Sequence, residues 1–153
     1  GADNYAIDGC SIPTYQVPLH MLAIAYARFG VGENDGKERS KAMIRIRDAC
    51  LAHPEMVAGD ERVCTQIMQA LGSRAFVKVG AEGVYTASLP ELGCGIAMKA
   101  RDGNFRAVEV AISTLIGELL KLDETEQASM LPIVQPVLKN WNGIEVGSMR
   151  MVL

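Results

Sequence analysis

The chain has 153 residues, 49% hydrophobic and 22% charged, which suits one ordinary globular domain able to bury a core. A net charge of −3 and a pI near 5.4 give no general attraction to nucleic acid or to anionic membranes. The longest apolar stretches, such as Met21 to Tyr26, fall well short of the ~20 residues that span a bilayer, and no signal segment is visible.

In chain order, Asp8-Gly9-Cys10 places an acid and a thiol two residues apart on a tight turn before Pro13. Taken alone, this is a turn aspartate bonded to its own backbone beside a small buried thiol. Leu19, Leu22, Ala23 and Tyr26 then recur at helical spacing, with Pro18 suited to a first turn and Gly30 to a stop, so a buried helix is predicted over Leu19 to Phe29. After a polar, glycine-rich turn from Gly32 to Gly36, Lys37 to Ala52 reads as an amphipathic helix ending before Pro54. Met43, Ile44, Ile46 and Leu51 are its apolar residues, while Lys37, Arg39, Lys41, Arg45 and Arg47 form a solvated face rather than a phosphate site. A loop from His53 to Gly59 follows. Asp60 is a candidate N-cap for a third helix carrying Val63, Ile67, Met68 and Leu71, ended by Gly72.

Three strands are predicted near Ala75 to Val79, Gly83 to Leu89 and Gly95 to Arg101, with connections short enough for an antiparallel meander. Val108, Ile112, Leu115, Ile116 and Leu119 make Phe105 to Leu120 an amphipathic helix that covers the sheet. Asp123 to Met130 reads as a short helix, and Ile144 to Met151 alternates like an edge strand of the same sheet. No repeat or linker interrupts this order, so residues 1 to 153 read as a single α+β domain, an antiparallel sheet flanked by helices.

One residue departs from these patterns. Lys78 is a cation flanked by Val77 and Val79 in an apolar strand, just before Gly80-Ala81-Glu82-Gly83, where glycines allow close approach of a neighbour or ligand. Two readings are open: a side chain on the solvated face of a half-buried strand, or a cation held for chemistry. Glu82 is equally open, as an ion partner or a solvent-exposed turn residue. Cys10, Cys50, Cys64 and Cys94 are widely spaced without a Cys-x-x-Cys pair, which points to free thiols and the cytoplasm. His20 and His53 have no metal-ligand spacing, Gly93-Cys94-Gly95 precedes no dinucleotide-type helix, and the few aromatics lack basic interleaving.

The segments Lys78-Val79-Gly80-Ala81-Glu82-Gly83-Val84-Tyr85, Asp8-Gly9-Cys10-Ser11-Ile12-Pro13-Thr14-Tyr15 and Arg106-Ala107-Val108-Glu109-Val110 together resemble the bacterial asparaginase II family, the Rhizobium-type asparaginases. The resemblance covers essentially all of this chain but only part of the family's length. It implies the fold of serine β-lactamases, penicillin-binding proteins and glutaminases, and hydrolysis of L-asparagine. The family's upstream Ser-x-x-Lys and Cys-Ser-Gly-Lys motifs do not occur here: none of Ser11, Ser40, Ser73, Ser88, Ser113, Ser129 and Ser148 has a lysine three places on. The chain therefore resembles a C-terminal portion lacking the nucleophilic serine, and it is expected to be inactive alone and to associate with an N-terminal portion or form a homo-oligomer.

By the same resemblance, Lys78 of Lys78-Val79-Gly80 lines the site opposite that serine, and Gly80 leaves backbone open to the substrate. Asp8 meets the substrate's α-ammonium group, and Cys10 is a zinc ligand whose upstream partners, a cysteine and a lysine, are missing. Cys64, fourteen residues before Lys78, matches a cysteine near the family's site and otherwise reads as a core thiol, like Cys50 and Cys94. A glutaminase or penicillin-binding-protein-like hydrolase is the rival activity, disfavoured by Val79, which stands where the fold usually carries a hydroxyl, and by the Asp8-Gly9-Cys10 turn. A non-catalytic assembly or binding module is the rival of another class.

Overall fold

Tyr85, Ala87 and Leu89 alternate with Thr86 and Ser88 along one strand, and both sets are buried, so this strand needs cover on two faces. The computed structural model, which describes residues 4–33 and 36–152, supplies that cover with helices on either side. The elements are β1 (Tyr5–Ile7), β2 (Pro13–Tyr15), α1 (Leu19–Val31), α2 (Lys37–Ala52), α3 (Pro54–Ala58), α4 (Val63–Leu71), β3 (Phe76–Val79), β4 (Val84–Leu89), β5 (Cys94–Lys99), α5 (Phe105–Leu120), α6 (Glu124–Val134), β6 (Val137–Lys139) and β7 (Glu145–Ser148). Strands β3, β4 and β5 form the antiparallel meander, and the class is α+β with helices flanking antiparallel sheet.

Directly paired residues share a face. Phe76, Ser88 and Gly95 therefore line one face with Lys78, Thr86 and Ala97, and α1 lies on it. The approach is close enough that a Cβ on Gly95 would stand 2.0 Å from the Ala23 carbonyl oxygen, and one on Gly30 would stand 1.7 Å from Ser88 Oγ. On the other face Val77, Tyr85, Ala87 and Leu89 pack with Cys64, Ile67 and Met68 of α4, Val108, Ile112 and Ile116 of α5, and Met130 and Ile133 of α6.

Ser88 Oγ is buried and has no hydrogen-bond partner among the described residues. A hydroxyl so placed keeps a desolvation cost of about 1–3 kcal/mol. Ser88→Ala is thus expected to hold or raise the urea midpoint, and a clear drop would mean that the hydroxyl has a partner.

Several expectations need correction. The loop from His53 to Gly59 contains α3, because Pro54 takes a first-turn position where its missing N–H costs nothing. Helix α6 runs past Met130 through Pro132 to Val134. Burial of Met130 and Ile133 and the Asp123/Glu126 capping box offset the proline, whose interior cost is ~3 kcal/mol. The alternating C-terminal segment is a strand, but it pairs with β6 in a separate hairpin instead of joining the meander. Asn140 Oδ1 closes that hairpin by accepting the N–H groups of Asn142 and Ile144, both at 3.0 Å. Arg47 is not solvated like Lys37, Arg39, Lys41 and Arg45: it is half-buried and donates to the Gly30 carbonyl at the end of α1. Leu19, Ile44, Ile46 and Leu119, assigned to apolar faces, are exposed, and α1, expected as a buried helix, buries only Gly30 fully because it lies on the sheet with its outer side open. Of the turn from Gly32 to Gly36, residues 34 and 35 lie outside the described residues.

Candidate active site

Lys78 is half-buried on the face that α1 covers, in the edge strand of the meander. The Gly80 N–H donates to the Val84 carbonyl at 2.8 Å, so the in-plane groups of Val79, one residue back, point away from β4. Both groups are capped. Lys78 Nζ donates to the Val79 carbonyl at 2.7 Å, and the Val79 N–H donates to Cys64 Sγ at 3.2 Å. From the next strand Thr86 Oγ1 donates to the Lys78 carbonyl at 3.0 Å. Among the described residues no ion pair involves Lys78. Glu82 is exposed in the turn at φ 57°, and its carbonyl accepts from Lys99.

Gly80 spends its N–H inside the β3–β4 hairpin. What it offers is a missing side chain, since a Cβ there would stand 3.2 Å from that of Val84.

Asp8 and Cys10 sit apart from Lys78, in the turn between β1 and β2. Asp8 Oδ1 accepts the N–H of Cys10 at 2.8 Å and of Ile12 at 3.1 Å, while Oδ2 accepts Thr14 Oγ1 at 3.1 Å. The expected self-bonded turn is therefore present, but its thiol is exposed instead of buried, because the hairpin is exposed throughout. The Ile12 N–H, then that of Cys10, holds the Asp8 carboxyl below its ordinary 3.8. The sign follows. Asp8 steadies the hairpin at pH values above 3.8, and that contribution fades as pH falls through the lower folded value. Amide signals of Cys10 and Ile12 followed by NMR should shift in that acid range, and Asp8→Ala should abolish the shift.

An L-asparaginase II family model matches residues 1–151. The chain belongs to the L-asparaginase II family. No curated protein matches it. In this L-asparaginase II chain the segments that carry the resemblance become the β1–β2 hairpin, the β3–β4 hairpin and the first turns of α5.

Near Lys78, Cys64 matches the family's cysteine by resemblance, while Tyr85 and Thr86 are not among the candidate residues. Cys64 is fully buried, and its sulfur lies 2.9 Å from the Tyr85 hydroxyl as well as receiving the Val79 N–H. Burial first, then the Cys64 thiol, pushes the Tyr85 phenol far above its ordinary value of 10.0, so it stays a neutral hydrogen-bonding group. Thr86 and Tyr85 could have been suspected from the strand register, which sets them opposite Lys78 and Val79. The Cys64 contact depends on how α4 packs and leaves no local signal.

For zinc, Cys10 is the family-matched residue, yet among the described residues no three His, Cys, Asp or Glu side chains gather as a metal site. Three or four protein ligands are the norm for zinc, so these residues do not fit the ion by themselves. Among the described residues no helix is long and apolar enough to cross a membrane.

Proposed function

We propose that this L-asparaginase II chain is the C-terminal portion of an enzyme that hydrolyses L-asparagine to L-aspartate and ammonia, its nucleophilic serine lying outside these residues. Lys78 carries the reading: a half-buried cation at a sheet edge that answers a neutral carbonyl and no carboxylate among the described residues. Burying a charge without its opposite is unfavourable. A substrate carboxylate or a developing oxyanion would supply the missing negative charge.

In this reading the serine hydroxyl adds to the side-chain amide carbon. The C–N bond breaks, ammonia leaves with the proton the hydroxyl gave up, and water then splits the ester to release aspartate. Lys78 places positive charge beside the reacting groups and lowers the pKa of a neighbouring hydroxyl or lysine. Asp8, which this fold sets apart from Lys78, would meet the substrate's α-ammonium group through Oδ2 where association brings the first hairpin to a Lys78 site; Oδ2 takes one hydrogen bond within the hairpin and has a lone pair to spare. Gly80 keeps the β3–β4 turn tight beside Lys78, its missing Cβ making room for Val84. Cys10 would be one thiolate of a zinc site whose other ligands lie outside these residues. Four unpaired thiols suit a reducing compartment, the cytoplasm.

Association is the second part of the proposal. Ile7, Ile12 and Tyr15 on the first hairpin, and Val137, Ile144 and Val146 on the last, are exposed. Surfaces of this kind suit docking of an N-terminal portion or a second copy, and they are what a purely structural module would also use.

Incubating the protein that carries this chain with L-asparagine, L-glutamine and a chromogenic β-lactam separates the readings. Turnover of asparagine above the other two is expected. Preferred turnover of glutamine or of the β-lactam would replace the substrate assignment, and no turnover of any, with stable self-association, would leave the assembly role.

A further inference from the structure

We infer that Cys64 and Tyr85 are positioning residues for Lys78, with one buried sulfur fixing the outer edge of its strand. The catalytic consequence rests on the asparaginase reading; the geometry does not.

The connection runs through Val79. Its carbonyl takes Lys78 Nζ at 2.7 Å, and its N–H goes to Cys64 Sγ at 3.2 Å. Cys64 is the second residue of α4 and is fully buried. Tyr85, directly opposite Val79 on β4 and also fully buried, brings its hydroxyl to 2.9 Å from the same sulfur. A single atom thus joins α4, β3 and β4 next to the lysine. An edge strand presents an unpaired N–H at every second residue. With Cys64 bonded to the Val79 N–H, the Lys78–Val79 peptide is held on the outer edge of the strand, directly before the Val79–Gly80 peptide whose carbonyl takes Lys78 Nζ.

A cysteine serving only as core filler would predict something different. Its replacement by alanine would cost packing across α4 and leave the Val79 amide as it was. Serine, which can accept an N–H and bond a phenol, would then be worse than alanine in the apolar surroundings. The positioning role predicts the reverse order.

The test uses Cys64→Ala, Cys64→Ser and Tyr85→Phe in the protein that carries this chain, with hydrogen exchange at the Val79 amide and kcat and KM for L-asparagine as readouts. Loss of one buried hydrogen bond in Cys64→Ala should speed Val79 exchange about tenfold and lower kcat about tenfold, with KM changed by no more than about twofold. Cys64→Ser should recover most of both losses. Tyr85→Phe, which keeps the sulfur, should move both readouts in the same direction by less.

Unchanged Val79 exchange in Cys64→Ala, or a serine variant no better than the alanine one, overturns the inference. If Cys64→Ala fails to fold, Tyr85→Phe decides, and unchanged Val79 exchange there overturns it. If the unmodified protein does not hydrolyse asparagine, the proposed function fails while the exchange order still decides the positioning role.

Discussion

Gly95→Ala is expected to destabilise the fold by about 3 kcal/mol or more, at the upper end of what overpacking costs. The new Cβ would lie 2.0 Å from the Ala23 carbonyl oxygen and 2.5 Å from the Ala27 nitrogen. Both are main-chain atoms of α1, so no side-chain rotation relieves the contact and the helix must lift from the sheet. Against a usual total of ~5–15 kcal/mol, that loss is large. It also reaches function, since α1 covers the face on which Lys78 lies. Gly93→Ala is the comparison. A Cβ there meets nothing within 4 Å, but φ is +57°, so only the left-handed penalty of about 1–2 kcal/mol applies. Urea unfolding of the two variants should rank Gly95→Ala well below Gly93→Ala, and equal midpoints would contradict the contact between α1 and β5.

Lys78→Met is expected to lower kcat/KM for L-asparagine by about 10²–10⁴, the range for losing a group that supports proton transfer or charge development. Methionine keeps an unbranched apolar stem, so packing around the strand changes little. What is lost structurally is the one hydrogen bond to the Val79 carbonyl, a matter of about 1 kcal/mol, and the protein should stay folded. Lys78→Arg keeps the charge on a planar fork that cannot reproduce a compact ammonium, so partial activity is expected. Steady-state kinetics beside an unfolding curve checks both. A methionine variant within about threefold of the unmodified protein would remove Lys78 from the chemistry.

Long, strongly periodic segments were legible because their side chains face one core. Helix α5 matches its expected limits at both ends, and the meander appears where the glycine-punctuated strands place it. The β1–β2 hairpin left no such signal, since strands of three exposed residues bury nothing that would impose alternation. For β7 the alternation identified a strand without identifying its partner, because pairing is a property of the whole chain. Arg47 looked like its solvated neighbours until α1 ended beside it and offered the Gly30 carbonyl.

The site divides in the same way. Lys78 stood out as a cation between valines, and Asp8 as a turn acid, because both break local expectation. That Lys78 shares a sheet face with Thr86, that the Val79 carbonyl holds its ammonium, and that Cys64 reaches the Val79 N–H all depend on register and packing between elements far apart in sequence. The exposed Cys10 thiol likewise follows from a hairpin that the described residues leave uncovered.

Ammonia release from L-asparagine tests the central claim most directly, measured for the pure 153-residue chain and for a longer protein that supplies the Ser-x-x-Lys segment with it. The chain alone should be silent and the longer protein active. Ammonia release by the chain alone, as a single species of 16.5 kDa, would place the nucleophile within these residues and contradict the division of roles proposed for Lys78, Asp8 and the absent serine.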